Sequence, residues 1–319
     1  MKLFMNKLLY LIIMLFIISL ISFLAIHMAP NSFFASGELN PNITKESIEQ
    51  LKAIYGLDKP LYMQFFSWIT AIIQLDFGIS FASGQMVKTE VLDRLPITLI
   101  INILSMFLIF VISLYLGIKA ALNKKSFFDK FAGQLSLLSF SMPSFYLALL
   151  CVLIFSISLE ILPIAGLHSV PDDGSLNYYL DYAWHLILPI SIITFGGIGS
   201  LTLYIRSLTI EILKSDYIFF ARARGLNNKK ILRYYILPNL YPPVVTLLGL
   251  SLPGIIGGSV ILESIFSING MGLLFYQSAL SHDYPVIMGI LIIGAFLTLL
   301  GNILADLVLL KLNPNYDGK

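Results

Sequence analysis

The sequence predicts an all-α membrane protein of six transmembrane helices with both termini cytoplasmic, and three observations carry that prediction. The first is composition: a mean hydropathy of +0.86, with 57% apolar and 12% charged residues over 319 positions, lies outside the range of a water-soluble fold. The second is length. Apolar runs at roughly 8–28, 97–121, 131–159, 184–206, 238–262 and 284–310 each exceed the about 20 residues that a helix needs to cross a ~30 Å hydrocarbon core. A closed β-barrel would instead show alternating segments of about ten residues, and these do not occur. The third is charge. With the N-terminus inside, 15 of the 20 Lys and Arg fall on the inner side, and the other five share the long loop 31–96; acids run the other way, 13 outside and 5 inside. Basic residues in short loops fix the cytoplasmic side.

Taken in order, 1–30 holds the first transmembrane helix. Its apolar core follows Lys2 and Lys7, is longer than a signal peptide's about 7–15 residues, and precedes no small-x-small cleavage site, so it reads as a retained helix. The segment 31–96 reads as an extracellular loop with short helices. "ITKESIEQLKAIYG" begins a helix near Thr44 and stops it at Gly56, and "LDKPLYMQFFSWITAIIQLDFG" is too short to span and lies at the outer interface with Trp68 as anchor. Residues 97–312 form the membrane core, and 313–319 a cytoplasmic tail. Within that core the third span carries Ser136, Ser139, Ser141 and Ser144 around Pro143. The fourth has Pro189 and "FGGIGS", and the fifth "PPVVTLLGLSLPGIIGG". Such small residues serve close helix packing; alternatively, Ser139, Ser141, Pro143 and Ser144 border a translocation path lined by hydroxyls.

Several functions are disfavoured. Asp306, about one turn from Lys311, is the only acid well inside a span, which argues against a proton or sodium relay. There is no phosphate-binding GxxxxGK[ST] loop and no HExxH. The four His residues (27, 168, 185, 282) are scattered, so no metal site is expected. His185 and Ser200, on one helix, stand about 22 Å apart and cannot share a proton. Cys151, the single cysteine, excludes a disulfide framework. Nothing points to nucleic acid.

The stretch "YIFFARARGLNNKKILRYYILPN", 217–239, is the exception to this sparsity. It holds Arg222, Arg224, Lys229, Lys230 and Arg233 and no acid. Asp216 to Arg224 can form about two helical turns. Gly225 tolerates the positive φ that closes such a helix, Asn227 or Asn228 can cap the next, and Pro238 opens the fifth span. Topology explains the charges but not the spacing. Ala221 stands four residues before Gly225; after nine intervening residues come Tyr235, Ile236, Leu237 and Pro238. This resembles the EAA signature of ATP-binding-cassette importer permeases. Phe219 and Phe220 replace its Glu and first Ala, while "ARARGL" looks like the "ARAKGL" usual in the peptide branch. "GLDKPLYMQFFSWITAIIQLDFGIS" with "RLPITL", "SFSMPSFYLALL", "VILESIFSINGMGLLFYQSALSHDYPVIMG" and "ADLVLLKLNPN" resemble, in order, blocks of the B-type subunits of dipeptide, oligopeptide and nickel importers.

The resemblance implies a type I importer permease fold in which 215–238 is the coupling loop, with Ala221, Arg222, Ala223, Arg224, Gly225, Leu237 and Pro238 meeting a cytoplasmic ATPase. It implies a second homologous permease subunit, two cytoplasmic ATPases that carry ATP and Mg, and an extracellular substrate-binding protein, often a lipoprotein. No ATPase cassette follows Lys319, so the ATPases are expected on separate chains, and this chain is expected to bind no cofactor and catalyse nothing itself. Glu263, Gly270, Gly272, Asp283 and Pro285 would face the binding protein, with Gly270 and Gly272 turning the chain as the plainer alternative. The expected cargo is peptide, with nickel or a metal chelate as the alternative within the family. An ion-coupled secondary carrier would show inverted repeats and a mid-membrane charge, and neither is visible.

Overall fold

The structure is a computed structural model that describes residues 2–27, 59–251 and 258–312. The helix expected from Thr44 to Gly56 and the tail 313–319 lie outside the described residues. Among these residues all regular structure is helical, apart from one isolated antiparallel bridge between Ile79 and Met86. In chain order the helices are α1 (Lys2–His27), α2 (Leu61–Ile73), α3 (Val87–Leu122), α4 (Phe127–Ser141), α5 (Ser144–Ser158, its second half π-helical), α6 (Leu176–Leu213), α7 (Asp216–Ala223), α8 (Asn228–Ile231), α9 (Leu237–Ser251), α10 (Val260–Ile265), α11 (Met271–Leu280) and α12 (Tyr284–Leu312). Helices α3 and α6, and the Tyr284–Ile303 part of α12, are long and apolar enough to cross a membrane; α4 with α5 makes a fourth span if the pair is counted as one.

Two expected boundaries change. Helix α3 starts at Val87, not at 97, because Val87 and Val91, one turn apart, are both fully buried while Leu92 and Asp93 stay exposed, and Glu90 sits in the first turn, where the helix dipole favours an acid. The third span is not one helix. Helices α4 and α5 are bent by 102° at their break. Pro143 offers no N–H to continue α4 and forces Met142 out of the helical region, to φ −87° and ψ 123°.

Contacts divide the described chain into two units. The first comprises the described residues of 1–97, 256–260 and 269–300. Here Phe65 of α2 meets Phe16 and Phe23 of α1 edge-on, and Trp68 packs against Phe23 and Phe65, so the expected anchor is built into an aromatic cluster. Val87 and Val91 close on Met271, Leu274, Val286 and Ile290.

The second unit comprises the described residues of 98–255, 261–268 and 301–319. Its helices approach through small residues. A Cβ on Gly117 would stand 2.8 Å from Ile205, and one on Gly199 would stand 2.5 Å from the Ser136 carbonyl and 2.9 Å from the Ser139 hydroxyl. The Ser113 hydroxyl donates across to the Ile198 carbonyl at 3.3 Å, and that of Ser139 to the Phe195 carbonyl. In an apolar medium such bonds join helices while satisfying the hydroxyls that make them. Gly199→Ala should therefore push α4 off α6 and lower stability by about 2 kcal/mol. Gly196→Ala, three residues earlier with open space around it, should be neutral or gain up to about 1 kcal/mol. Thermal melts of both variants in detergent check the contrast.

Candidate coupling site

Local chemistry builds the elbow that follows α6. Helix α7 has Asp216 in its first turn and Arg222 in its last, each complementing the helix dipole. It ends in a Schellman motif. The Leu226 N–H donates to the Ala221 carbonyl at 3.2 Å, the Gly225 N–H donates to the Arg222 carbonyl at 2.9 Å, and Gly225 takes φ +77°. Only glycine accepts that backbone without strain. Asn227 then caps α8, its side-chain oxygen accepting the Lys230 N–H at 2.9 Å. A π-helical stretch, Leu232–Ile236, carries the chain into α9, where Pro238 lacks an N–H and the Asn239 amide donates to the Tyr235 carbonyl at 2.6 Å.

The two faces of this elbow differ. Inward, Ile218 and Ala221 join Ile212 of α6 and Ile231, Ile236 and Leu240 of the following limb in one apolar core, with Leu226 packed against it. Ala221 is only 2% exposed, so it seats the helix rather than lowering its outer surface. Outward stand Tyr217, Phe219, Phe220, Arg222, Ala223 and Arg224, with Phe219 68% and Phe220 60% exposed. Lys229, Lys230 and Arg233 continue the exposed basic surface, and Tyr217 stacks on Tyr235 with ring centroids 6.3 Å apart. Leu237 is half-buried and Pro238 exposed. The result is a braced protrusion, aromatic and cationic on its outside.

A support for this elbow escaped the reading of the sequence. Asp129, in the first turn of α4, receives the Arg206 guanidinium of α6 through Nε at 2.5 Å and Nη2 at 2.9 Å, and the Lys125 N–H at 2.8 Å. The signal that could have found the acid is "SFFD", a helix-start box in which the Ser126 hydroxyl accepts the Asp129 N–H at 3.2 Å. Nearby, Lys119 lies over the Tyr115 and Phe128 rings at 5.0 and 4.4 Å.

The residues expected along the path separate. Ser141, Pro143 and Ser144 are exposed at the α4–α5 break. Ser139 is buried in the α4–α6 seam with its hydroxyl engaged, which corrects its assignment to an open path. A cavity of about 560 Å³ lies elsewhere in this unit, between α3, α6 and α9.

The residues expected to face a binding protein are likewise recast. Glu263 in α10 is buried, as are Gly270 at the start of α11 and Gly272 within it; Pro285 is half-buried. Neither glycine takes a left-handed conformation, the left-handed positions of this stretch being Ser267 at φ +50° and His282 at φ +56°. Asp283 is 1% exposed. Its carboxylate accepts the Ser80 hydroxyl at 2.5 Å and the Phe81 and Ala82 N–H groups at 3.1 Å each, holding the loop 80–82.

At the start of α6 a second fastening holds the preceding loop. The Asp181 carboxylate accepts the Ser169 N–H at 2.6 Å. His185 Nδ1 donates to the Asp181 carbonyl at 2.8 Å, which leaves Nε2 to accept from the Ser169 hydroxyl at 3.2 Å. Among the described residues no group of three or more His, Cys, Asp or Glu is arranged to hold a metal ion.

Residues 111–318 match the family described as binding-protein-dependent transport system inner membrane component, and residues 1–102 match its N-terminal companion. The chain belongs to this family. It is a multi-pass component of the bacterial cytoplasmic membrane and a transport subunit, not a catalytic one. It is 33% identical to the oligopeptide transport system permease protein AppB of Bacillus subtilis over 94% of each chain. It is also 32% identical to the dipeptide transport system permease protein DppB of Lactococcus lactis over 98% of each. With the inner membrane ABC transporter permease protein YejB of Escherichia coli O157:H7 it shares 31% identity, over 85% of this chain and 76% of the relative.

Proposed function

We propose that this chain forms half of the translocation pathway of an ATP-driven importer of di- and oligopeptides. It would pair with a second, homologous permease subunit, and two cytoplasmic ATPases would bind ATP and Mg and supply the work. An extracellular binding protein would deliver the cargo. The relatives named for oligopeptide and dipeptide transport support the cargo class. Six spans with both termini cytoplasmic are part of this reading: 1–30 as the first, an outer segment 31–96 whose end α3 takes over from Val87, a core 97–312, and a tail 313–319.

The observation that carries the mechanism is the elbow 215–238. Its inner face is locked into the core under α6, so a push on its outer face moves the transmembrane helix with it. Arg222 and Arg224 would pair with carboxylates of an ATPase groove, and the exposed Phe219 and Phe220 would fill apolar depressions there, in place of the family's Glu and Ala. On the outer side, the buried Asp283 in the one unit and the buried Glu263 in the other would each shape their own unit's surface from beneath, leaving direct contact with a binding protein to exposed neighbours.

Two substitutions test the coupling. Gly225→Pro imposes φ near −65° where +77° is required and removes the N–H that closes α7. Arg222→Glu reverses one exposed charge and leaves Ile218 and Ala221 seated. Both variants should insert into the membrane, retain ATP hydrolysis by the assembled complex and lose most peptide uptake. Normal uptake by both would remove this assignment.

A further inference from the structure

The cavity of about 560 Å³ is built from single helical faces: Asn102, Met106, Ile109 and Phe110 of α3, Ile193, Gly197, Ser200, Leu201 and Tyr204 of α6, Leu247 and Ser251 of α9. This volume is that of a small-molecule site. Among the described residues no charged side chain lines it. Its polar groups fall into two sets. The Asn102 amide donates back to the Thr98 carbonyl at 2.9 Å, and the Ser251 hydroxyl to the Leu247 carbonyl at 2.8 Å. The hydroxyls of Ser200 and Tyr204, one turn apart on α6, have no hydrogen-bond partner among the described residues.

Those two hydroxyls decide what the cavity holds. An acyl chain would leave the Tyr204 hydroxyl unsatisfied in an apolar surrounding, at a cost on the order of 1–3 kcal/mol, and would give Ser200 nothing but a carbonyl of its own helix. Water or a polar cargo would not. An occupant that matches the whole wall presents amide groups to the Ser200–Tyr204 edge and aliphatic surface to Met106, Ile109, Phe110 and Leu247. A peptide bond flanked by an apolar side chain has that form. The termini of a short peptide, both charged, find no partner here and must stay in water.

We propose that this cavity is a side-chain subsite of the pathway, where an uncharged stretch of the peptide rests with its amide on Ser200 and Tyr204 and its apolar side chain between α3 and α9. The inference rests on the peptide-importer reading and adds a size and polarity limit to it. Because both contacts are single hydroxyls, the site holds its cargo loosely enough for release.

The test compares uptake of radiolabelled trialanine and trileucine by cells that carry the chain as wild type or as Ser200→Phe. Filling the cavity should cut trileucine uptake about tenfold relative to trialanine. An unchanged ratio in a variant that still transports trialanine overturns the subsite and leaves the importer reading standing. A wild-type transporter that takes up neither peptide overturns both. If Ser200→Phe fails to fold, Ser200→Cys in a Cys151→Ser background decides. Labelling by a water-soluble maleimide that trileucine slows supports the proposal. Labelling by a membrane-soluble maleimide alone would mean that lipid fills the cavity, and would overturn it.

Discussion

Replacing Asp129 by Ala is expected to lower the stability of the detergent-purified chain by about 2 kcal/mol, with a fall in melting temperature of several degrees. The carboxylate is 7% exposed and holds Arg206 by two hydrogen bonds, Nε at 2.5 Å and Nη2 at 2.9 Å. Its removal strands a guanidinium beside α4. Breaking a fully buried pair costs about 3–5 kcal/mol. The Arg206 side chain is 27% exposed and recovers part of that through water, which sets the lower figure. The cause is separable from simple loss of packing. In Asp129→Ala with Arg206→Leu no charge is left unpaired, so the double variant should melt closer to wild type than the single variant does. A double variant that melts lower than Asp129→Ala would show that packing, not the stranded charge, sets the loss. The pair also bears on transport. It ties the first turn of α4 to α6 about two turns before the elbow, so under the proposed coupling Asp129→Ala should reduce uptake per ATP hydrolysed as well as stability.

The elbow itself was legible because its determinants are local. Gly225, Asn227 and Pro238 each act within a few residues, and the helix, the left-handed turn and the cap all stand where backbone chemistry puts them. The same holds for long apolar runs such as α3, α6 and α12. Distance defeats this kind of reading. Asp129 and Arg206 are 77 positions apart, and Ser80 and Asp283 are 203 apart; in the sequence each is an ordinary charge or hydroxyl. Serines show the same ambiguity. Ser139 and Ser200 are both hydroxyls in apolar spans, yet one is spent on a helix seam and the other opens on a cavity, a distinction made only by which helix faces which. Pro143 was in view, but a proline announces a break and leaves its angle to the packing around it.

Asp283→Ala is expected to be the more damaging substitution in the other unit, at about 3 kcal/mol. One buried carboxylate satisfies three donors, the Ser80 hydroxyl and the N–H groups of Phe81 and Ala82, and the two main-chain donors remain in place, without an acceptor, when the carboxylate is lost. The Ser80 hydroxyl in turn accepts the Ser83 N–H at 3.0 Å, and the Ser83 hydroxyl donates to Glu90 in the first turn of α3. Loss of the carboxylate thus frees a loop that is fastened at each step. Asp283→Asn keeps the shape and one acceptor but turns an amide N–H toward a donor, so it should fall between wild type and Ala. Ser80→Ala loses a single link and should cost about 1 kcal/mol. Melting temperatures in the order Ser80→Ala, Asp283→Asn, Asp283→Ala, from highest to lowest, with protease cleavage within 76–86 rising in the same order, are the expected result. If Asp283→Asn melted with wild type, the negative charge would be idle and the loop held by shape alone. If Ser80→Ala matched Asp283→Ala, the hydroxyl rather than the two main-chain N–H groups would carry the fastening.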